Sequence, residues 1–208
     1  MRPFARLGAR RVAIFTVFCG ILGCARDDPN QSRPQANADG PSIRLLDLDG
    51  QPVDLWQKTK GAISVVLFTR TDCPISNRCA PEIRRLHEKY HSMGVKFFLI
   101  YVDPRERPDD IRRHLQEYEY PCQGLRDPEH TLVAHCEATT TPEAVVFDAD
   151  GKMTYRGRVD DQYADLGQPR AEPTTHDLAD AIESTIVGRP VAHPRTKAIG
   201  CLIADLKN

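Results

Sequence analysis

In Phe68-Thr-Arg-Thr-Asp-Cys73-Pro-Ile-Ser76 a strand pattern ends and a helix pattern begins. Before it, residues 63–68 (ISVVLF) are apolar and β-branched, the composition of a strand buried on both faces. After it, residues 80–91 (APEIRRLHEKYH) place Ile83, Leu86 and Tyr90 at i, i+3 and i+7, one face of a helix. A second apolar run at 95–102 (VKFFLIYV) completes a strand-helix-strand unit. Cys73 therefore stands at the mouth of the helix, where free backbone N–H groups and the positive end of the macrodipole favour thiolate over thiol. That makes it the candidate nucleophile; a buried, inert cysteine is the alternative. Arg70 is expected to support the thiolate and Asp72 to oppose it.

Outward from this unit the periods keep alternating. Residues 43–48 (IRLLDL), the Asp49-Gly50 turn and Val53-Asp-Leu55 read as an N-terminal hairpin. Residues 108–118 (PDDIRRHLQEY) read as a second helix, opened by Pro108 with Asp109 and Asp110 in its first turn. Residues 123–126 suit a short strand, 128–137 a helical stretch, and 143–147 with 153–158 a hairpin around Asp150-Gly151. A closing amphipathic helix is expected over 177–187 (DLADAIESTIV), capped by Thr174 or Thr175.

This order resembles the thioredoxin fold, an α/β architecture with a central mixed sheet flanked by helices, here extended by the N-terminal hairpin. The segment 68–76 lies over the stretch that in that family reads Phe-Trp-Ala-x-Trp-Cys-x-x-Cys. Thr141-Pro142-Glu143, immediately before a strand, resembles the family's cis-proline turn, and Asp148-Ala-Asp-Gly151 the turn that follows it in the redoxin branch. The texture is most similar to single-cysteine redoxins of the alkyl hydroperoxide reductase/thiol-specific antioxidant–thioredoxin superfamily that carry Cys-Pro-Ile-Ser-Asn, many of them exported bacterial proteins. The resemblance spans residues 42–188 and implies that Thr141 and Pro142 form the edge facing Cys73, with Pro74 and Ser76 in support.

Three departures from the family pattern limit the chemistry. Ser76 replaces the second cysteine, so no Cys-x-x-Cys disulfide can form. Leu67 stands six residues before the nucleophile, where thioredoxins bury an acid. Peroxiredoxins carry Pro-x-x-x-Thr-x-x-Cys, and those positions are Val66 and Arg70 here, which weakens any peroxidase. A resolving thiol must then come from elsewhere. Cys79, six residues on, would lie about 240° around a continuous helix and roughly 9 Å along it, a poor candidate. Cys201 in the tail (Ala198-Ile-Gly-Cys-Leu-Ile) is preferred, led back by the proline-rich stretch 190–194; otherwise it is an ordinary tail residue. Cys122 and Cys136 flank a short strand and helix as candidates for a structural bridge, or are small core residues.

The N-terminus reads as an export signal. Arg2, Arg6, Arg10 and Arg11 precede an uncharged apolar run at 12–23 (VAIFTVFCGILG). Twelve residues at about 1.5 Å rise span roughly 18 Å, short of a roughly 30 Å hydrocarbon core. Ile21-Leu22-Gly23-Cys24 resembles a bacterial lipobox, which would make Cys24 the lipidated residue of a membrane-anchored protein facing the periplasm or cell exterior. Residues 25–41 are rich in Pro, Asn, Gln, Asp and Gly and suit a flexible tether, so that the expected organisation is signal 1–23, tether 24–41, redoxin domain 42–188 and tail 189–208.

The balance of 28 basic against 29 acidic residues, net charge −1, argues against a nucleic-acid partner. With the four signal arginines removed and no acid lost, 24 basic face 29 acidic residues. Five thiols then remain for an oxidising compartment: Cys73, Cys79, Cys122, Cys136 and Cys201. The expected activity is that of a thiol oxidoreductase or weak peroxidase, with no cofactor and no metal, acting on a protein disulfide, thiol or hydroperoxide. The alternative is a non-catalytic redoxin-fold module that binds copper or a protein partner. Copper chaperones of the Sco type use Cys-x-x-x-Cys with a distant histidine, whereas here five residues separate Cys73 from Cys79 and His135 is the nearest histidine in sequence to the expected turn. His87 and His91, at i and i+4 on the first long helix, suit a zinc clamp less well than a solvated face.

Overall fold

Long apolar runs can be accommodated only where both sides of a strand are covered, and two such runs organise this molecule. The computed structural model describes residues 43–204; the expected signal, Cys24 and the tether lie outside them. Along the chain come β1 (Leu45–Leu46), β2 (Pro52–Val53), α1 (Leu55–Thr59), β3 (Ser64–Thr69), α2 (Pro74–Arg78), α3 (Ala80–His91) and β4 (Lys96–Tyr101). Then follow α4 (Pro108–Glu117), β5 (Gln123–Arg126), α5 (Thr131–Cys136), β6 (Thr140–Thr141), β7 (Glu143–Phe147) and β8 (Met153–Gly157). A short hairpin of β9 (Tyr163–Asp165) and β10 (Gln168–Pro169), helix α6 (Asp177–Ile186) and strand β11 (Cys201–Leu202) complete it.

The main sheet runs β2-β1-β5-β4-β3-β7-β8. Strands β3, β4 and β5 are mutually parallel, and β7 returns antiparallel on β3, so the sheet is mixed as the thioredoxin fold requires. Side chains alternate across it with period two. Val65, Leu67, Phe97, Leu99, Tyr101, Ala144 and Val146 face α3, α4 and α6. Val66, Phe68, Phe98, Ile100, Val145 and Phe147 face α1, α5 and the N-terminal hairpin. β3 is buried along its whole length, as its composition demands.

Several local expectations shift. Asp54 caps a helix, accepting from Gln57 N–H at 3.1 Å, so Leu55 begins α1 and does not extend the hairpin. The stretch expected at 128–137 starts at Thr131, because the buried carboxylate of Asp127 gathers the N–H groups of Thr131, Leu132 and Val133. Neither Thr174 nor Thr175 caps α6; His176 holds that position without a side-chain cap. The backbone N–H groups of both threonines bind Asp161 instead, and the Thr175 hydroxyl binds Asp177.

His114 on α4 is buried and ties three elements together. Its Nε2 donates to the Asn77 side-chain oxygen at 2.8 Å, which leaves Nδ1 to accept from the Tyr101 hydroxyl at 2.8 Å. Asn77 in turn donates to the Thr71 carbonyl at 3.1 Å, two residues before Cys73. Burial pushes the His114 imidazole down to about 4, so the folded protein holds it neutral where an unfolded chain would protonate it. Its contribution is complete above the ordinary histidine value of 6.5 and is lost as pH falls from there towards 4. Urea midpoints should fall over that interval by the equivalent of about 3 kcal/mol, and His114→Gln should flatten the dependence while lowering stability at neutral pH.

Candidate active site

The parallel strands all end on one side of the sheet, and the loops leaving them converge there. β3 ends at Thr69, the chain turns over residues 70–72, and Cys73 becomes the N-cap of α2. Pro74 opens that helix and matches its fixed φ. α2 is five residues long and breaks at Cys79 before α3 begins, so Cys73 does not sit on the long helix. Discrete hydrogen-bond donors, more than an extended macrodipole, must therefore favour the thiolate.

Those donors are present. The Cys73 side chain is fully buried, and its thiol donates to the Thr141 carbonyl at 3.1 Å. The Thr141–Pro142 peptide bond is cis. Burial pushes the Cys73 thiol up, but hydrogen bonds from the Cys201 side chain, from the Ser76 side chain and backbone N–H, and from the Thr141 side chain outweigh it and leave the thiol below its ordinary value. The Ser76 hydroxyl is buried and has no other partner, which leaves it free for the thiolate. The other four thiols move the opposite way. Burial pushes Cys122 and Cys136 up to about 12 and Cys79 up as well. Cys201 is pushed up to about 11, first by burial and then by its hydrogen bond to Cys73.

The tail brings Cys201 to this place along a defined path. Pro194 and Thr196 pair with Arg156 on the outer edge of β8, at 2.9 and 3.1 Å, and the Thr196 hydroxyl bonds Tyr155 at 2.7 Å. Gly157 permits the approach, since a Cβ there would stand 2.6 Å from the Thr196 carbonyl oxygen. Farther on, β11 pairs antiparallel with β6, setting Cys201 opposite Thr141 and Leu202 opposite Thr140. Ile203 closes the path, donating its N–H to the Thr139 carbonyl at 2.9 Å and packing on the sheet face that carries Val66 and Phe68.

Arg70 is held by carboxylates: its guanidinium pairs with Asp72 at 2.8 Å and Asp103 at 3.5 Å. Asp103 also grips Arg105, which holds its carboxyl down to about 2. The sequence reading missed Glu106. One of its oxygens accepts the Thr71 N–H at 2.6 Å, the other is buried without a partner, and burial raises its carboxyl. Its signal was positional: it follows β4 on the side where the β3 loop emerges.

The remaining sulfur expectations divide. A Cys122–Cys136 bridge does not form: both thiols are free, and they pack into cores on opposite faces of the sheet. Cys79 is free and buried in the first core. His135 packs edge-on against Trp56, with centroids 5.6 Å apart, and His87 and His91 stack on each other at 4.7 Å. Among the described residues no group of three or more His, Cys, Asp or Glu is arranged to hold a metal.

The Redoxin family profile matches residues 35–170. Among solved structures, an uncharacterized conserved protein from Geobacillus kaustophilus is 27% identical, with a TM-score of 0.68 over 80% of this chain and 89% of that one. A hypothetical protein from Sinorhizobium meliloti shares the fold at 21% identity and a TM-score of 0.68, covering 79% of this chain and 91% of that one. A thiol:disulfide interchange protein of the thioredoxin family from Chlorobium tepidum shares it at 18% identity and 0.52, covering 70% and 94%. No protein of curated function matches the chain.

The donor set gives a direct expectation for Cys73. Ser76→Ala should raise its thiol and slow its reaction with iodoacetamide at neutral pH, because less thiolate remains. The pH profile of alkylation, followed by mass spectrometry at Cys73, measures the shift.

Proposed function

The chain belongs to the Redoxin family, and from that premise we propose that it is a thiol redox protein with Cys73 as nucleophile and Cys201 as resolving thiol. The observation that carries the reading is the sorting of the five thiols. Among the described cysteines only Cys73 is lowered, and the β11–β6 register sets a second cysteine, held towards its thiol form, beside it. A nucleophile and a protonated partner at one point are the components of a two-thiol cycle.

With a hydroperoxide, the Cys73 thiolate attacks the distal oxygen. An S–O bond forms, the O–O bond breaks, and the departing alkoxide takes a proton to leave as alcohol or water. Cys201 then attacks the sulfenic sulfur; the S–S bond forms and the sulfenic oxygen leaves as water with the Cys201 proton. With a disulfide substrate, Cys73 displaces one thiol and forms a mixed disulfide, from which Cys201 displaces the other. In either case an external dithiol must reduce the Cys73–Cys201 bond to close the cycle. Val66 and Arg70 in place of the peroxidatic proline and threonine favour disulfides over peroxides as the faster substrates.

The setting is part of the proposal. The arginine-rich start, the apolar run 12–23 and the lipobox-like Ile21-Leu22-Gly23-Cys24 support export and a lipid anchor at Cys24, with residues 25–41 as tether. Such a location would place the thiols where disulfides persist.

Non-reducing peptide mapping after mild peroxide or oxidised glutathione tests the cycle. The expected product is a Cys73–Cys201 disulfide reversed by a dithiol, and its complete loss in Cys73→Ser. A Cys73 that stays an unmodified thiol under both oxidants, in a chain whose other cysteines react, would refute the proposal.

A further inference from the structure

Among the described cysteines Cys73 alone is held below its ordinary thiol value, and it is wholly enclosed, with no exposed surface at all. The tail runs directly beside it. β11 occupies the free backbone edge of Thr140–Thr141 in antiparallel register, and that register sets Cys201 opposite Thr141, whose carbonyl binds the Cys73 thiol. An extended segment with a cysteine facing the nucleophile is the arrangement a thiol-bearing partner would need, so the chain's own tail fills the partner's seat.

The hold is slight. The seat is secured by two residue pairs of β11, by the bonds from the Thr141 hydroxyl to the Cys201 carbonyl and from Ile203 to Thr139, and by the partial burial of Ile203, while the side chain of Leu202 is left 75% exposed. Segments with so few buried contacts open locally at small free-energy cost. Upstream the tail is fixed much more firmly, by the pairing of Pro194 and Thr196 with Arg156 and by the side-chain bonds of Thr196.

One residue sets the register. A Cβ at Gly200 would overlap the Thr141 carbonyl oxygen and stand 2.7 Å from its carbon and 3.1 Å from Pro142 Cδ. The obstacle is backbone and a proline ring on the edge itself, which cannot move aside as a flexible side chain would. No residue with a side chain fits immediately before the cysteine in this seat.

We propose that residues 199–203 form a gate over Cys73, that substrates reach the nucleophile only while this strap is lifted, and that the vacated seat accepts extended peptide segments with glycine directly before cysteine. The inference rests on the reading of Cys73 as nucleophile and adds which partners it admits. Lifting exposes Cys73 and Thr141 together; reseating returns Cys201 to the nucleophile.

The test uses the full chain. Gly200→Ala should speed alkylation of Cys73 by about tenfold or more, as the strap spends longer undocked, and should slow formation of the Cys73–Cys201 disulfide by a similar factor. Ile203→Asp, which loosens the strap at its apolar anchor without touching the seat, should speed alkylation in the same way. A synthetic peptide of residues 198–203 carrying Cys201→Ser should restore slow alkylation to the Gly200→Ala protein; the same peptide also carrying Gly200→Ala should not. Alkylation at the parental rate in both variants, or equal protection by both peptides, would overturn the gate and its glycine preference. The two readings fail separately. Fast alkylation of a Cys73 that neither peroxide nor disulfide oxidises would leave the gate standing and refute the redox cycle.

Discussion

The site depends on one short backbone edge that the main sheet leaves unpaired. Thr140 and Thr141 precede a proline and lie apart from the ladder, so their carbonyls and N–H groups must find partners elsewhere. Cys73 takes the Thr141 carbonyl and Cys201 takes the register position beside it. From that shared residue follow the proximity of Cys201 to Cys73 and the need for glycine at position 200.

Electrostatics reinforce what the edge arranges. Burial pushes Cys79, Cys122, Cys136 and Cys201 towards the protonated form, while Cys73, wholly buried, is met by several hydrogen-bond donors. Burial alone would have raised it as well. The donors come from three places in the sequence, Ser76, Thr141 and Cys201, and only the fold unites them. The charged cluster of Arg70, Asp72, Asp103 and Arg105 neutralises itself next to the loop and leaves the thiolate to hydrogen bonding.

Much of this was legible in the residues. The buried runs at 63–68 and 95–102, the helix from Ala80 and the strand from Gln123 to Arg126 follow from period and composition, which tertiary contacts here do not override. The meeting of Cys73 with a cis Thr141–Pro142 turn followed from local motifs of fixed spacing. Other features were hidden for physical reasons. The caps of α1 and α5 depend on Asp54 and Asp127, and at Asp127 a carboxylate buried by the fold moved the helix start by three residues. The break at Cys79 removed the long helix invoked for the thiolate. Cys122 and Cys136 lie close in sequence but on opposite sides of a sheet, a separation that spacing cannot show.

The tail's attachment to β8 has a consequence of its own. Thr196 is pinned by Arg156, Tyr155 and Arg158, so motion of the strap must begin after it, within Lys197-Ala198-Ile199. An extended chain advances at most about 3.6 Å per residue, which confines a released Cys201 to a radius of some 15–20 Å around its anchor. A thiol leashed that closely meets Cys73 at an effective concentration in the millimolar range. Dilute thiols in the surroundings would therefore lose the competition for an oxidised Cys73, and whatever reduces the protein would meet it after the internal bond has closed.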